Sequence, residues 1–116
     1  MIKIDLYQEI QRLMNELTAS INKLRANGVA LAEAERDYKI TLSTQALRLR
    51  AGDMPVTLIN QVIYGQQEVA ELRLRRDIAQ ANYEANREHI NICKLKLRIV
   101  ESQLEREWGD TGRKGV

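Results

Sequence analysis

Between Gly65 and Gly109 the sequence contains neither glycine nor proline, and its apolar residues recur at helical steps on two faces. One row is Val69, Leu72, Ala79, Tyr83, Ile90, Cys93, Leu97, Val100 and Leu104, and the other is Leu74, Ile78, Ala81, Ala85, Ile92, Leu95 and Ile99. This spacing predicts one uninterrupted helix over residues 66–108, roughly 65 Å long at the helical rise. A helix that is apolar on two faces is normally covered on both. A chain of 116 residues has enough left over to cover one face. The second row therefore predicts contact with another copy or a different partner, with Leu74, Ile78, Ala85, Ile92, Leu95 and Ile99 as the oligomer interface.

An earlier helical pattern fills residues 4–51. Ile10, Leu17, Leu24, Leu31 and Tyr38 fall seven apart, with Leu6, Leu13, Met14, Ile21, Ala34 and Leu42 on the same face. The seven-residue phase runs straight through Asn27-Gly28, so Gly28 reads as a weak spot or close-packing point inside one long helix. Ala51-Gly52-Asp53-Met54-Pro55 is the clear break, because glycine releases a helix and proline suits the start of the next. A short helix over 55–64 follows and ends at Gly65. Two long helices joined by so few residues should run antiparallel. Centring the turn near residues 58–59 places Tyr38 opposite Ala79, Ala34 opposite Tyr83, Gly28 opposite Ile90 and Leu24 opposite Cys93. The expected fold is all-α: a long antiparallel, coiled-coil-like helical hairpin over 1–108 with a short helical cap at the turn, assembling into an oligomeric bundle. Residues 109–116, with three glycines and no apolar period, are expected to form a flexible tail.

Composition narrows the function classes. Net charge is +2, from 18 basic and 16 acidic residues, so no global field recruits nucleic acid and any anion site is local. No apolar run approaches the ~20 residues needed to cross a bilayer, and the acids in the opening MIKIDLYQEI do not suit a signal peptide. A cytoplasmic location without membrane contact is expected. The single Cys93 lies on an apolar row, where a reduced thiol packs as a small hydrophobe.

Local charge gathers at the cap end. Lys39, Arg48 and Arg50 lie in an acid-free stretch from Tyr38 to Gly52, and Arg73, Arg75 and Arg76 return beside them. Arginine forks grip phosphate or carboxylate, and the start of the short helix near Thr57 can offer backbone N–H donors. Arg48, Arg50, Thr57, Tyr64, Arg73 and Arg76 are therefore the candidate ligand-binding residues for a nucleotide-like anion. The same arginines can equally pair with Asp53, Glu68, Glu71 and Asp77 on the surface. Arg76 falls on the inner row and needs a partner there, from Asp37, Asp77 or a bound anion. Asn86 interrupts that row as a register-fixing polar residue. His89 and Cys93, four apart, can face one side of a metal, but two ligands fall short of a zinc set, so neither metal nor cofactor is predicted. One histidine builds no catalytic triad, no phosphate-cradling glycine loop is present, and an enzyme is not expected. VTLINQVIYG lacks the basic residues that a DNA-reading helix carries.

The strings LRLRAGDMPVTLI, GQQEVAELRLRRDIAQANYEA and KLKLRIVESQLEREW resemble small, all-helical accessory proteins encoded by phages and prophages of Gram-positive bacteria. The resemblance implies a phage accessory protein without an assigned enzyme activity, located in the host cytoplasm if phage-encoded. Such proteins include DNA-metabolism helpers and inhibitors of host defence, some of which sequester nucleotide signals in oligomers. Three functions stay open: a homo-oligomeric anti-defence factor binding an anionic small molecule or a host protein at the arginine-rich cap; a nucleic-acid-binding accessory of phage replication or recombination; and a structural or protein-blocking coiled coil.

Overall fold

A computed structural model describes the backbone of residues 3–114 and the side chains of residues 5–109. Helix α1 spans Lys3–Ala51, α2 spans Val56–Val62 and continues into a 3₁₀ turn at Ile63–Gly65, and α3 spans Gln67–Lys114, with no strand among the described residues. The all-α architecture, two long helices around a short helical cap, is the one the apolar periodicity predicts. Gly28 does not interrupt α1. Helix α3 runs on to Lys114 where the sequence reading ends it at Trp108, so helix replaces the expected flexible tail over residues 109–114. A glycine inside a helix costs about 1 kcal/mol relative to alanine but does not forbid the conformation. The tail's residues 115–116 lie outside the described residues.

The break after α1 is a Schellman ending. Met54 N–H reaches back to the Leu49 carbonyl at 3.2 Å and Asp53 N–H to the Arg50 carbonyl at 3.0 Å. The residue in the left-handed region is Asp53, at φ 63°, and no glycine takes a positive φ. Glycine was the expected occupant of that position, and here it stands one residue too early. Leu49 and Met54, the two positions whose apolar side chains accompany this motif, both pack on the core of the cap. Pro55 then opens α2, its carbonyl accepting from the amides of Leu58 and Ile59, each at 3.0 Å.

The chain divides into two compact units, one formed by Arg25–Glu84 and the other by Met1–Leu24 with Ala85–Val116. In the first, Tyr38, Ile59, Ile63 and Val69 are buried together, with Leu42, Ala46, Leu49, Met54 and Leu72 packed around them. In the second, Leu13, Ile90 and Cys93 are buried, and Trp108 Nε1 donates to Tyr7 Oη at 3.3 Å. All nine residues of the first α3 row are buried or half-buried, as its spacing requires. Met14 and Ile21 are exposed instead of filling the inner face of α1.

The pairing register differs from the symmetric one. Gly28 faces the Tyr83 ring, where Ala34 was expected. Cys93 faces Glu16, where Leu24 was expected. The offset is already present beside the cap. Glu68, near the start of α3, already lies beside Gln45, whose Nε2 donates to it at 2.6 Å. The last turns of α1, through Ala46 and Leu49, pack on the cluster that Ile59 and Ile63 of the cap build.

Candidate functional site

Arg48 and Arg50 stand in the last turn of α1 and Arg73 and Arg76 in the early turns of α3, so the fold brings the basic residues to the unit that carries the cap. Each has a distinct environment. Arg50 Nη1 donates to the Met54 carbonyl at 3.2 Å and so helps close the helix end. Arg73 lies over the Tyr64 ring, 5.3 Å from its centroid. Arg76 lies over Tyr38 at 4.6 Å and donates from Nε and Nη2 to Asp77 Oδ1 at 3.1 and 2.9 Å. The hydrogen bond to Asp77 holds its pKa above the ordinary arginine value. Of the partners open to the half-buried Arg76, the structure selects Asp77 and the tyrosine face. Arg48 and Thr57 are exposed, and Arg75 turns away to Asp37 at 3.2 Å.

These contacts define what the cap can do. A guanidinium stacked on an aromatic face keeps its N–H edges for an in-plane acceptor, so Arg73 on Tyr64 is pre-oriented for a carboxylate or phosphate. Thr57 contributes less than the sequence suggested. Helix α2 is seven residues long, and the Leu58 and Ile59 amides of its first turn already bond to Pro55. Arg50, Arg73 and Arg76 thus each hold a separate local contact, and Arg48 is exposed.

The predicted interface residues are all on the surface. Leu74, Ile78, Leu95 and Ile99 are 53–60% exposed, Ile92 is 39% exposed, and Ala85 is exposed with them. Helix α1 adds apolar exposure that its heptad count did not single out, at Ile40 and Leu47. Beside Ile78 a shallow groove of about 240 Å³ is lined by Ala30, Ala34, Ala79 and Arg75.

The unit containing both chain ends buries a polar group that sequence reading saw only in part. Asn86 Nδ2 donates to the Ser20 carbonyl at 2.9 Å and to Ser20 Oγ at 2.8 Å, and His89 Nδ1 lies 3.0 Å from the same hydroxyl. Asn86 thus meets α1 at a single depth, as a register-fixing residue does. Glu16 comes against both His89 and Cys93. It escaped notice because the symmetric register put other residues opposite Cys93, and Ser20 because it lies on a face read only for its apolar members.

Among the described residues no helix is long and apolar enough to cross a membrane. The chain matches no protein-family model, curated protein or solved structure.

Proposed function

We propose that this chain is a non-enzymatic accessory protein of the phage type that works as a homo-oligomer, pairing copies through the outer face of α3 and offering its cap to an anionic partner. The observation that carries the reading is the exposed row on α3. Ile78, Ala85, Ile92 and Ile99 recur every seven residues, with Leu74, Ala81 and Leu95 at the intermediate steps. Isoleucine and leucine alternating at these steps is the pattern of a helical seam. Glu88 takes the remaining step, a lone polar residue of the kind that fixes register in such a seam. Large exposed apolar side chains clustered at such steps, as at Leu74 and Ile78 and again at Ile92, Leu95 and Ile99, mark interaction sites.

The Arg73–Tyr64 stack supports an anionic ligand at the cap, and Arg48, Arg50 and Arg76 of the same unit are the further candidates to hold it. A nucleotide-like small molecule suits one or two oriented forks better than a long polyanion does. A nucleic-acid backbone is the alternative, and it predicts affinity that falls steeply with salt in proportion to the phosphates contacted.

Sedimentation equilibrium over a wide concentration range tests the assembly. A reversible dimer or higher oligomer is expected, and a lone subunit at the highest concentrations removes the reading. Calorimetric titration with nucleotides and with single-stranded DNA tests the cap. Simultaneous replacement of Arg48, Arg50, Arg73 and Arg76 by glutamine should abolish uptake while helicity stays unchanged, and unaltered affinity excludes these residues as the site.

A further inference from the structure

We propose that Glu16, His89 and Cys93 form a binding site for a divalent transition metal of the zinc class. The three donors come from both long helices: Glu16 from α1, His89 and Cys93 one turn apart on one face of α3. His89 Nε2 lies 3.7 Å from Cys93 Sγ and 4.0 Å from Glu16 Oε2, and Sγ lies 3.9 Å from that same carboxylate oxygen. They make a nearly equilateral triangle. A tetrahedral zinc ion with bonds of about 2.0–2.3 Å holds neighbouring donors roughly 3.3–3.6 Å apart, so the triangle needs to close by only a few tenths of an ångström. The side chains of His89 and Glu16 are 50% and 39% exposed and have room for that adjustment.

The surroundings prepare each donor. Ser20 Oγ, buried and already accepting from Asn86, has a second lone pair for the His89 Nδ1–H. That tautomer leaves the Nε2 lone pair directed at the triangle, the outer-shell arrangement that metal-bound histidines use. Arg12 binds Glu16 through Oε1, which leaves Oε2 for the ion. One thiolate and one carboxylate neutralise a divalent charge. The mixed sulfur, nitrogen and oxygen set favours zinc over magnesium or calcium, which take oxygen. Three protein donors leave a fourth position for water. The bound ion would staple α1 to α3 within this unit. Without an ion, the same trio is a hydrogen-bond cluster in which the thiol donates to Glu16.

Cobalt(II) is the probe. The full-length protein, stripped with a chelator under reducing conditions, is titrated with Co²⁺ and followed by absorption. One equivalent per chain is expected, with the visible bands of four-coordinate cobalt, a thiolate charge-transfer band, and displacement of both by Zn²⁺. Cys93→Ser should remove the charge-transfer band and weaken binding by at least about a hundredfold, and Ser20→Ala should weaken it about tenfold with the band retained. His89→Gln and Glu16→Gln, at less buried positions, provide the same test if the Cys93 variant misfolds. Absence of saturable uptake, uptake without a thiolate band, or affinity unchanged in His89→Gln and Glu16→Gln would each overturn the site.

Discussion

Gly28→Ala asks whether the glycine in the middle of α1 is a weak point or a packing requirement. A Cβ at this position would lie 3.4 Å from Tyr83 Cε1 and 3.9 Å from Cδ1, which is ordinary van der Waals separation. No backbone of another element stands within 4 Å. Nothing therefore has to move, and the helix gains most of the alanine preference of about 1 kcal/mol. The substitution should stabilise the fold by about 0.5–1 kcal/mol, or roughly 2–6 °C in Tm for a chain of this length. A larger side chain is a different matter: Gly28→Leu drives atoms into the tyrosine ring and should destabilise by about 1–3 kcal/mol. The assay is urea unfolding followed by circular dichroism, with all variants at one protein concentration because assembly makes apparent stability depend on it. If Gly28→Ala instead lowers stability by about 1 kcal/mol or more, Tyr83 demands a bare Cα and the weak-point account is wrong.

Four further outcomes are expected. Ile92→Lys combined with Ile99→Lys removes side chains that are 39% and 56% exposed; at about 1 kcal/mol for each of four isoleucines in a symmetric dimer, dissociation should rise roughly a thousandfold by sedimentation equilibrium, and an unchanged constant contradicts the seam. Asn86→Ala removes the amide that donates to the buried Ser20 carbonyl and hydroxyl and should cost about 1–3 kcal/mol in chemical unfolding; a neutral result means that these bonds carry no net stability. Asp53→Gly relieves a left-handed backbone at φ 63° and should stabilise by about 0.5–1 kcal/mol after the extra freedom of the unfolded chain is counted, with a fall in Tm as the opposing result. Gln66→Met removes a buried amide oxygen that has no hydrogen-bond partner among the described residues, and a gain of about 1 kcal/mol is expected in the same assay, with a loss arguing against the bond-free oxygen.

Much of the fold was legible because helical periodicity is a local signal. The row from Val69 to Leu104 and the row from Leu74 to Ile99 separate by spacing alone, and burial separates them identically. The chain breaks were equally local, since Pro55 and Gly65 act on their own neighbours. What failed was long-range. The pairing register is a matter of contacts far apart in the chain, and beside the cap it involves the depth at which Ile59 and Ile63 pack with Ala46 and Leu49. No spacing within a single helix records that depth. An assumed symmetric turn therefore misplaced Tyr83 and Cys93 together and hid Glu16. The cap arginines share one unit, as their sequence positions imply, but the partners each one takes were not legible. Whether Arg76 meets an acid, a ring or a ligand depends on side-chain directions that only the folded pair of helices defines.

Cys93 has a use as well as a place. It is the chain's only cysteine and 1% exposed, enclosed where α1 and α3 meet. Alkylating reagents can reach its sulfur only during moments when the two helices part locally, so the rate of covalent labelling under native conditions counts those openings. Every intact molecule thus carries its own recorder of breathing at that depth, read by mass without adding a dye or a second mutation.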